Sequence, residues 1–123
     1  MALRLSAAQQ SQLAFLQLLP PKLHRINSVI EQMQNPKLDE TLVRGMIRVL
    51  DEMKAGASQL KLGGLAEALG NMGSIARRGG GLQVKIRGLQ EAVGTVRVNY
   101  EAAVKKASIP IPEASQKPTG GAT

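Results

Sequence analysis

The segment from Leu82 to Ala103 carries the most regular hydrophobic pattern in this sequence and constrains the fold more than any other feature. Apolar side chains recur there in alternating steps of four and three residues, at Leu82, Ile86, Leu89, Val93, Val96, Tyr100 and Ala103. This spacing puts them on one face of a helix and is typical of helices that pack nearly parallel to their neighbours in a bundle. We therefore predict an α-helix here, with all seven side chains buried.

Two further helices are predicted in the N-terminal third. Ser6 and Gln9 form a capping-box pattern, which predicts a first helix from about Ala7 to Leu19. Pro20–Pro21 then ends this helix and begins the second, since proline is tolerated in a first helical turn. The second helix carries an apolar stripe of Leu23, Ile26, Ile30 and Met33.

A third helix is predicted to begin at Asn35–Pro36, with Asn35 as its cap, and to reach about Gln59. A fourth helix follows and ends at Arg77–Arg78 before three glycines, because glycine favours helix C-termini. Gly70 and Gly73 lie inside this helix, and close packing of a neighbouring helix is expected to offset their low helix propensity. The predicted core face of the third helix consists of Leu42, Met46, Val49, Met53, Ala57 and Leu60.

The near absence of aromatic residues favours a helical core. Phe15 and Tyr100 are the only two among 123 residues, so Leu, Ile, Val, Met and Ala must fill the interior. We predict an all-α fold, an antiparallel bundle of four to five helices formed by residues 1–107. Residues 108–123 are rich in Pro, Gly and small polar side chains, which predicts a disordered tail.

Composition also narrows the chemistry that the chain can perform. It has no cysteine and one histidine, which argues against thiolate or multi-histidine metal sites. We find no phosphate-binding glycine loop and no nucleophile with a base beside it, so the expectation is no enzymatic activity, no cofactor and no metal. No run of eighteen apolar residues is present, and we expect a soluble, intracellular protein without membrane insertion.

The formal charge of +7 predicts attraction to acidic partners. Those partners include nucleic acid, an anionic membrane and an acidic protein surface, and charge spread along the chain does not choose among them. Two aromatic residues cannot supply the stacking platforms that single-stranded nucleic acid needs, which makes nucleic acid the less favoured partner. The composition leaves homo-oligomerisation open.

The outer face of the third helix is the candidate binding surface. It mixes basic side chains with small residues around one carboxylate, whereas a plain solvent face is more often rich in Glu and Lys. The residues predicted to bind a partner are Arg44, Ile47, Arg48, Asp51, Lys54, Ala55 and Ser58.

The segment around Asp51 resembles histidine phosphotransfer (HPt) domains of two-component signalling. In that family the phosphorylated His is followed, after two residues, by Lys and then Gly, and a leucine-rich helix comes next. Here Asp51 stands at the position of the histidine, Lys54 matches the lysine, and Gly56 lies one residue late, after Ala55. The following helix, with LAEAL at 65–69, and the segment LLPPKL at 18–23 are also similar, so that the resemblance covers about residues 13–106.

The resemblance implies an HPt-like, bacterial and cytoplasmic signalling adaptor that binds a receiver domain or a histidine kinase without passing phosphate. Asp51 lacks the imidazole nucleophile, and His24 lacks the family's Lys and Gly, since Asn27 and Ser28 occupy those places. Two alternatives remain at this point. One is a structural helical scaffold or oligomerisation subunit without a link to phosphorelay, and the other is a basic nucleic-acid-associated protein.

Overall fold

The computed structural model describes residues 5–35, 37–78 and 81–110. This part of the chain contains five α-helices and no strand, which confirms the predicted all-α fold. None of these helices is long and apolar enough to cross a bilayer. Residues 111–123, most of the predicted disordered tail, lie outside the described residues. The helices are α1 (Ala7–Leu16), α2 (Leu19–Gln32), α3 (Glu40–Gln59), α4 (Gly63–Arg77) and α5 (Leu82–Ala107).

The predicted capping box starts α1. The Gln9 backbone N–H donates to Ser6 Oγ at 3.0 Å, and the Ser6 N–H donates to Gln9 Oε1 at 2.8 Å. Helix α1 ends at Leu16, three residues earlier than predicted, and α2 begins at Leu19. Both prolines therefore lie in the first turn of α2, where their missing N–H groups have no partner to lose.

The predicted start of α3 was wrong, because Asp39 and not Asn35 is its cap. The Asp39 carboxylate accepts hydrogen bonds from the Thr41 hydroxyl and from the Thr41 backbone N–H, the latter at 2.9 Å. These two hydrogen bonds hold the pKa of Asp39 below its ordinary value of 3.8, and the bond from the Thr41 hydroxyl has the larger effect. Asn35 Oδ1 instead accepts from the Lys37 N–H at 3.0 Å, within the connection between α2 and α3.

Helices α2, α3, α4 and α5 form a closed ring in which each packs against the next, and α1 packs on α5 and α2. Helices α3, α4 and α5 run antiparallel to their neighbours in sequence, since contacts that move forward along one helix move backward along the next. The pairs that meet are Asp51 with Arg77 and Lys54 with Gly70 between α3 and α4, and Ile75 with Gly88 and Gly64 with Asn99 between α4 and α5. The predicted antiparallel bundle is confirmed.

The hydrophobic core is aliphatic, as predicted. In α3 and α5, however, the buried face of the helix is rotated relative to the predicted apolar stripe. In α5, Ile86, Leu89 and Val96 are buried as predicted, whereas Leu82 is 47% exposed and Ala92 is buried instead. The other three predicted core residues are only half-buried: Val93, Tyr100 and Ala103. Steps of four and three follow a period of 3.5 residues, so the stripe drifts around a helix of 3.6 residues per turn. The first residue of the pattern therefore leaves the core.

In α3 the buried face is likewise turned toward α4. Leu50 is 1% exposed although it was not among the predicted core residues, and Leu42 is 43% exposed although it was. Val49 and Leu60 are half-buried. Because α3 packs more extensively on α4 than on α2, side chains on its α4 side become core.

Besides the buried Leu16, three side chains of α1 contact the C-terminal ends of α3 and α5. Gln9 Nε2 donates to the Ile109 carbonyl at 2.7 Å, and Gln12 Nε2 donates to the Leu60 carbonyl at 3.0 Å. The half-buried Phe15 ring lies directly on Gly56. Helix α1 therefore joins the C-terminal ends of α3 and α5, which leaves the middle of the outer face of α3 uncovered.

Candidate protein-binding face

The structure brings six of the seven predicted binding residues to the surface of α3. Their common property is that they are exposed: Arg44, Arg48, Asp51, Lys54, Ala55 and Ser58. The seventh, Ile47, was predicted to be exposed and is half-buried against the core. Ile47 lies one helical turn before Leu50 and Asp51, and the turn of the core face toward α4 draws it inward.

Asp51 forms an ion pair with Arg77 at the C-terminal end of α4. Both side chains are 50% exposed, so the pair lies at the surface and remains in contact with solvent. Sequence reasoning missed Arg77 as a site residue and read it as a basic residue near a helix C-terminus. The signal that could have found it is the spacing of Gly70, Gly73 and Arg77, which places all three on one face of α4.

Gly70 and Gly73 form a flat floor under the basic side chains of this face. A Cβ atom built on Gly70 would lie 3.2 Å from Lys54 Cε, and one built on Gly73 would lie 3.3 Å from Arg77 Nη1. The end of the Lys54 side chain therefore rests on Gly70, and the Arg77 guanidinium rests on Gly73. The expected packing of a neighbouring helix is found at Gly70, through the Lys54 side chain, but is not confirmed at Gly73, where the nearest group belongs to α4 itself.

The charges of the face are unevenly balanced. Arg44 Nη2 lies 3.5 Å from Glu40 Oε2, one helical turn earlier, but both side chains are largely exposed and the pair adds little stability. Among the described residues, Arg48 and Lys54 have no carboxylate within 4.0 Å, although Glu52 lies one helical turn after Arg48. Excess positive charge therefore remains around Asp51, whose carboxylate is already paired with Arg77.

The face is also low in relief. Ala55 and Ser58 are small and exposed, and Ser74 Oγ on α4 is turned back onto the Gly70 carbonyl at 3.1 Å. A helix or loop of another protein could approach the backbone of α3 closely here. We define the α3–α4 face as Arg48, Asp51, Lys54, Ala55, Ser58, Gly70, Gly73 and Arg77.

The sole histidine lies away from this face. His24 is exposed on α2 and lines the groove between α2 and α5, beside Tyr100 and Arg97. In the described part of the chain, no three side chains of the metal-binding types come together in a group that could hold a metal ion.

Comparison of the chain with protein-family models, with curated proteins and with solved structures gives no match. The resemblance to HPt domains therefore stays a prediction, and the fold itself is an all-α antiparallel bundle of five helices within the described residues.

Proposed function

We propose that the protein is a non-catalytic adaptor that binds an acidic protein surface through the α3–α4 face. The observation that carries this proposal is the cluster of Arg48, Lys54 and Arg77 on one exposed, low-relief surface with a single carboxylate between them. Complementary charge accelerates the encounter of two proteins and suppresses binding to wrong partners. The resemblance to HPt domains makes a receiver domain the partner class of choice, because receiver domains surround their phosphorylation site with acidic residues.

The geometry of the face suits a partner that makes close backbone contact. Ala55 and Ser58 are small, exposed residues of α3, one and four positions after Lys54. A partner helix could therefore lie against α3 while its acidic side chains reach the cations on either side. Ile47 takes no exposed part in this contact, because it packs against the core.

We test the proposal with purified receiver domains from the source organism. Arg48→Glu should weaken binding mainly by slowing association, and the effect should shrink as salt concentration rises. Arg87→Glu is the matched control, since Arg87 is also exposed but lies on α5. Equal losses in both variants would show that only net charge matters and that this face is not the interface.

A second substitution tests shape independently of charge. Ala55→Trp places a large side chain on the exposed backbone of α3 and should block the close approach of a partner. The fold should be retained, because Ala55 is exposed and contributes nothing to the core. Unchanged receiver binding by this variant, with its melting temperature preserved, would argue against contact at α3.

The same proposal predicts that the chain accepts no phosphoryl group. Transfer from an aspartyl phosphate needs a free imidazole nitrogen, whereas Asp51 offers a carboxylate that is engaged by Arg77. Incubation with a phosphorylated receiver domain should leave the protein unlabelled. Acid-labile label that disappears in His24→Ala would identify His24 as a phospho-acceptor and would overturn the proposal.

A further inference from the structure

We infer that Asp51 is an internal competitor for Arg77, because its carboxylate occupies in the free protein the place that a carboxylate of the acidic partner takes in the complex. The inference rests on the proposed function, since it takes the α3–α4 face as the docking surface. It adds a regulatory feature to that face: the affinity of the protein for acidic partners is set below the value that its cations alone would give.

The Asp51–Arg77 pair has the properties of a contact that can be exchanged. Both side chains are half exposed, so a partner can reach the guanidinium without opening the core. Ion pairs at this degree of exposure add little to stability, since water and salt screen them. Displacing Asp51 from Arg77 therefore costs the fold little, while a partner carboxylate regains a similar contact.

A second cation lies within reach of the same incoming carboxylate. Lys54 lies over Gly70 and Arg77 lies over Gly73, and three residues correspond to about 4.5 Å along a helix axis. Both side chains therefore lie over α4 one helical turn apart, where a single partner group meets them together. Asp51 engages Arg77 and has no ion pair with Lys54 among the described residues.

This arrangement favours a partner with one well-placed acidic group. It disfavours a partner whose negative charge is diffuse. A polyanion without a carboxylate at the right position must compete with Asp51 and gains little from doing so. A partner that places a carboxylate between Lys54 and Arg77 replaces Asp51 and gains both contacts. Specificity then comes from a built-in repulsive element as well as from attraction.

The experiment uses a fluorescent decaglutamate peptide as the acidic probe and measures binding by anisotropy at low salt. Asp51→Asn should bind the peptide about twofold to fivefold more tightly, the ratio expected for one exposed ion pair. Arg77→Gln should bind it more weakly than the wild type. The double variant, Asp51→Asn with Arg77→Gln, should bind no more tightly than Arg77→Gln alone. Without Arg77, there is no guanidinium for which Asp51 and the peptide compete.

The chain supplies a matched control for each substitution at the neighbouring position. Glu52 is exposed, and Glu52→Gln changes the net charge as Asp51→Asn does. Arg78 lines the groove between α4 and α5, and Arg78→Gln changes the net charge as Arg77→Gln does. Both controls should bind the peptide nearly as the wild type does, and circular dichroism should show that every variant remains folded.

Several outcomes would overturn the inference. If Glu52→Gln raised the affinity for the peptide as much as Asp51→Asn does, the effect would be one of net charge alone. If Asp51→Asn raised the affinity for the peptide even when Arg77 is replaced, or if it left the affinity unchanged, either result would show that Asp51 does not compete for Arg77. Tighter binding of Asp51→Asn to duplex DNA than to the peptide would replace the protein partner by nucleic acid.

The inference and the proposed function can fail separately. If the peptide results are as expected but no receiver domain binds, the acidic-partner face is supported and the receiver assignment is wrong. If a receiver domain binds in an Arg48-dependent manner and Asp51→Asn changes neither receiver nor peptide binding, the adaptor function stands and the inference falls.

Discussion

Gly45 and Gly56 lie in the same helix, α3, and should respond to alanine in opposite directions. Replacing a glycine inside a helix by alanine stabilises the helix by about 0.5–1 kcal/mol. A Cβ atom on Gly45 would have nothing within 4 Å, so Gly45→Ala should gain most of this amount. A Cβ atom on Gly56 would overlap Phe15 Cε1 and lie 3.0 Å from Phe15 Cζ.

The overlap with Phe15 decides whether Gly56→Ala stabilises or destabilises the fold. Overpacking a well-packed contact costs about 1–3 kcal/mol, which outweighs the gain in helix propensity. Gly56→Ala should therefore destabilise the fold by up to about 2 kcal/mol, after the propensity gain is subtracted. In a Phe15→Ala background the ring is gone, and the same substitution should become neutral or stabilising.

The assay is urea unfolding followed by far-ultraviolet circular dichroism, with the free energy of unfolding compared among the variants. Coupling between Phe15 and Gly56 is then read from the double-mutant cycle. Equal stabilisation by Gly45→Ala and Gly56→Ala would refute the reasoning, because it would mean that α1 does not rest on the end of α3. That result would also remove the argument that α1 leaves the middle of the outer face of α3 open.

Three further predictions concern stability. Gln9→Ala should lower the free energy of unfolding by about 1–3 kcal/mol in urea titrations, because it strands the carbonyl at the end of α5 and half of the capping box. Leu89→Ala should cost about 2–5 kcal/mol in the same assay, whereas Val98→Ala, 66% exposed in the same helix, should be nearly neutral. The pKa of Asp39 is lowered in the folded protein by hydrogen bonds from Thr41. The contribution of Asp39 to the free energy of unfolding is therefore present above pH 3.8, and it is lost as the pH falls through the pKa of Asp39 in the folded state. Asp39→Asn should flatten that part of the pH dependence of unfolding.

Local chemistry along the chain was sufficient to predict the helices. Ser6 and Gln9 lie within one turn of each other, so the capping box at the start of α1 depends on no distant residue. Pro20 and Pro21 fix their own backbone, and the apolar periodicity around Leu89 and Val96 requires helix whatever surrounds it. The all-α class, the antiparallel bundle and most of the core therefore follow from sequence.

Residues that only tertiary packing brings together could not be predicted in the same way. The choice between Asn35 and Asp39 as the cap of α3 was wrong, since both side chains can cap a helix and local preference does not rank them. Ile47 and Leu50 are drawn inward because α3 packs more extensively on α4 than on α2, which the pattern of α3 alone does not contain.

The binding face shows the same division between sequence and structure. The exposure of Arg48, Lys54 and Asp51 follows from helical spacing, and the sequence alone was enough to nominate them. The pairing of Asp51 with Arg77 joins residues 26 positions apart and depends on how closely α4 approaches α3. That approach is set by the packing of the two helices and by the absence of side chains at Gly70 and Gly73, so the partner of Asp51 became visible only in three dimensions.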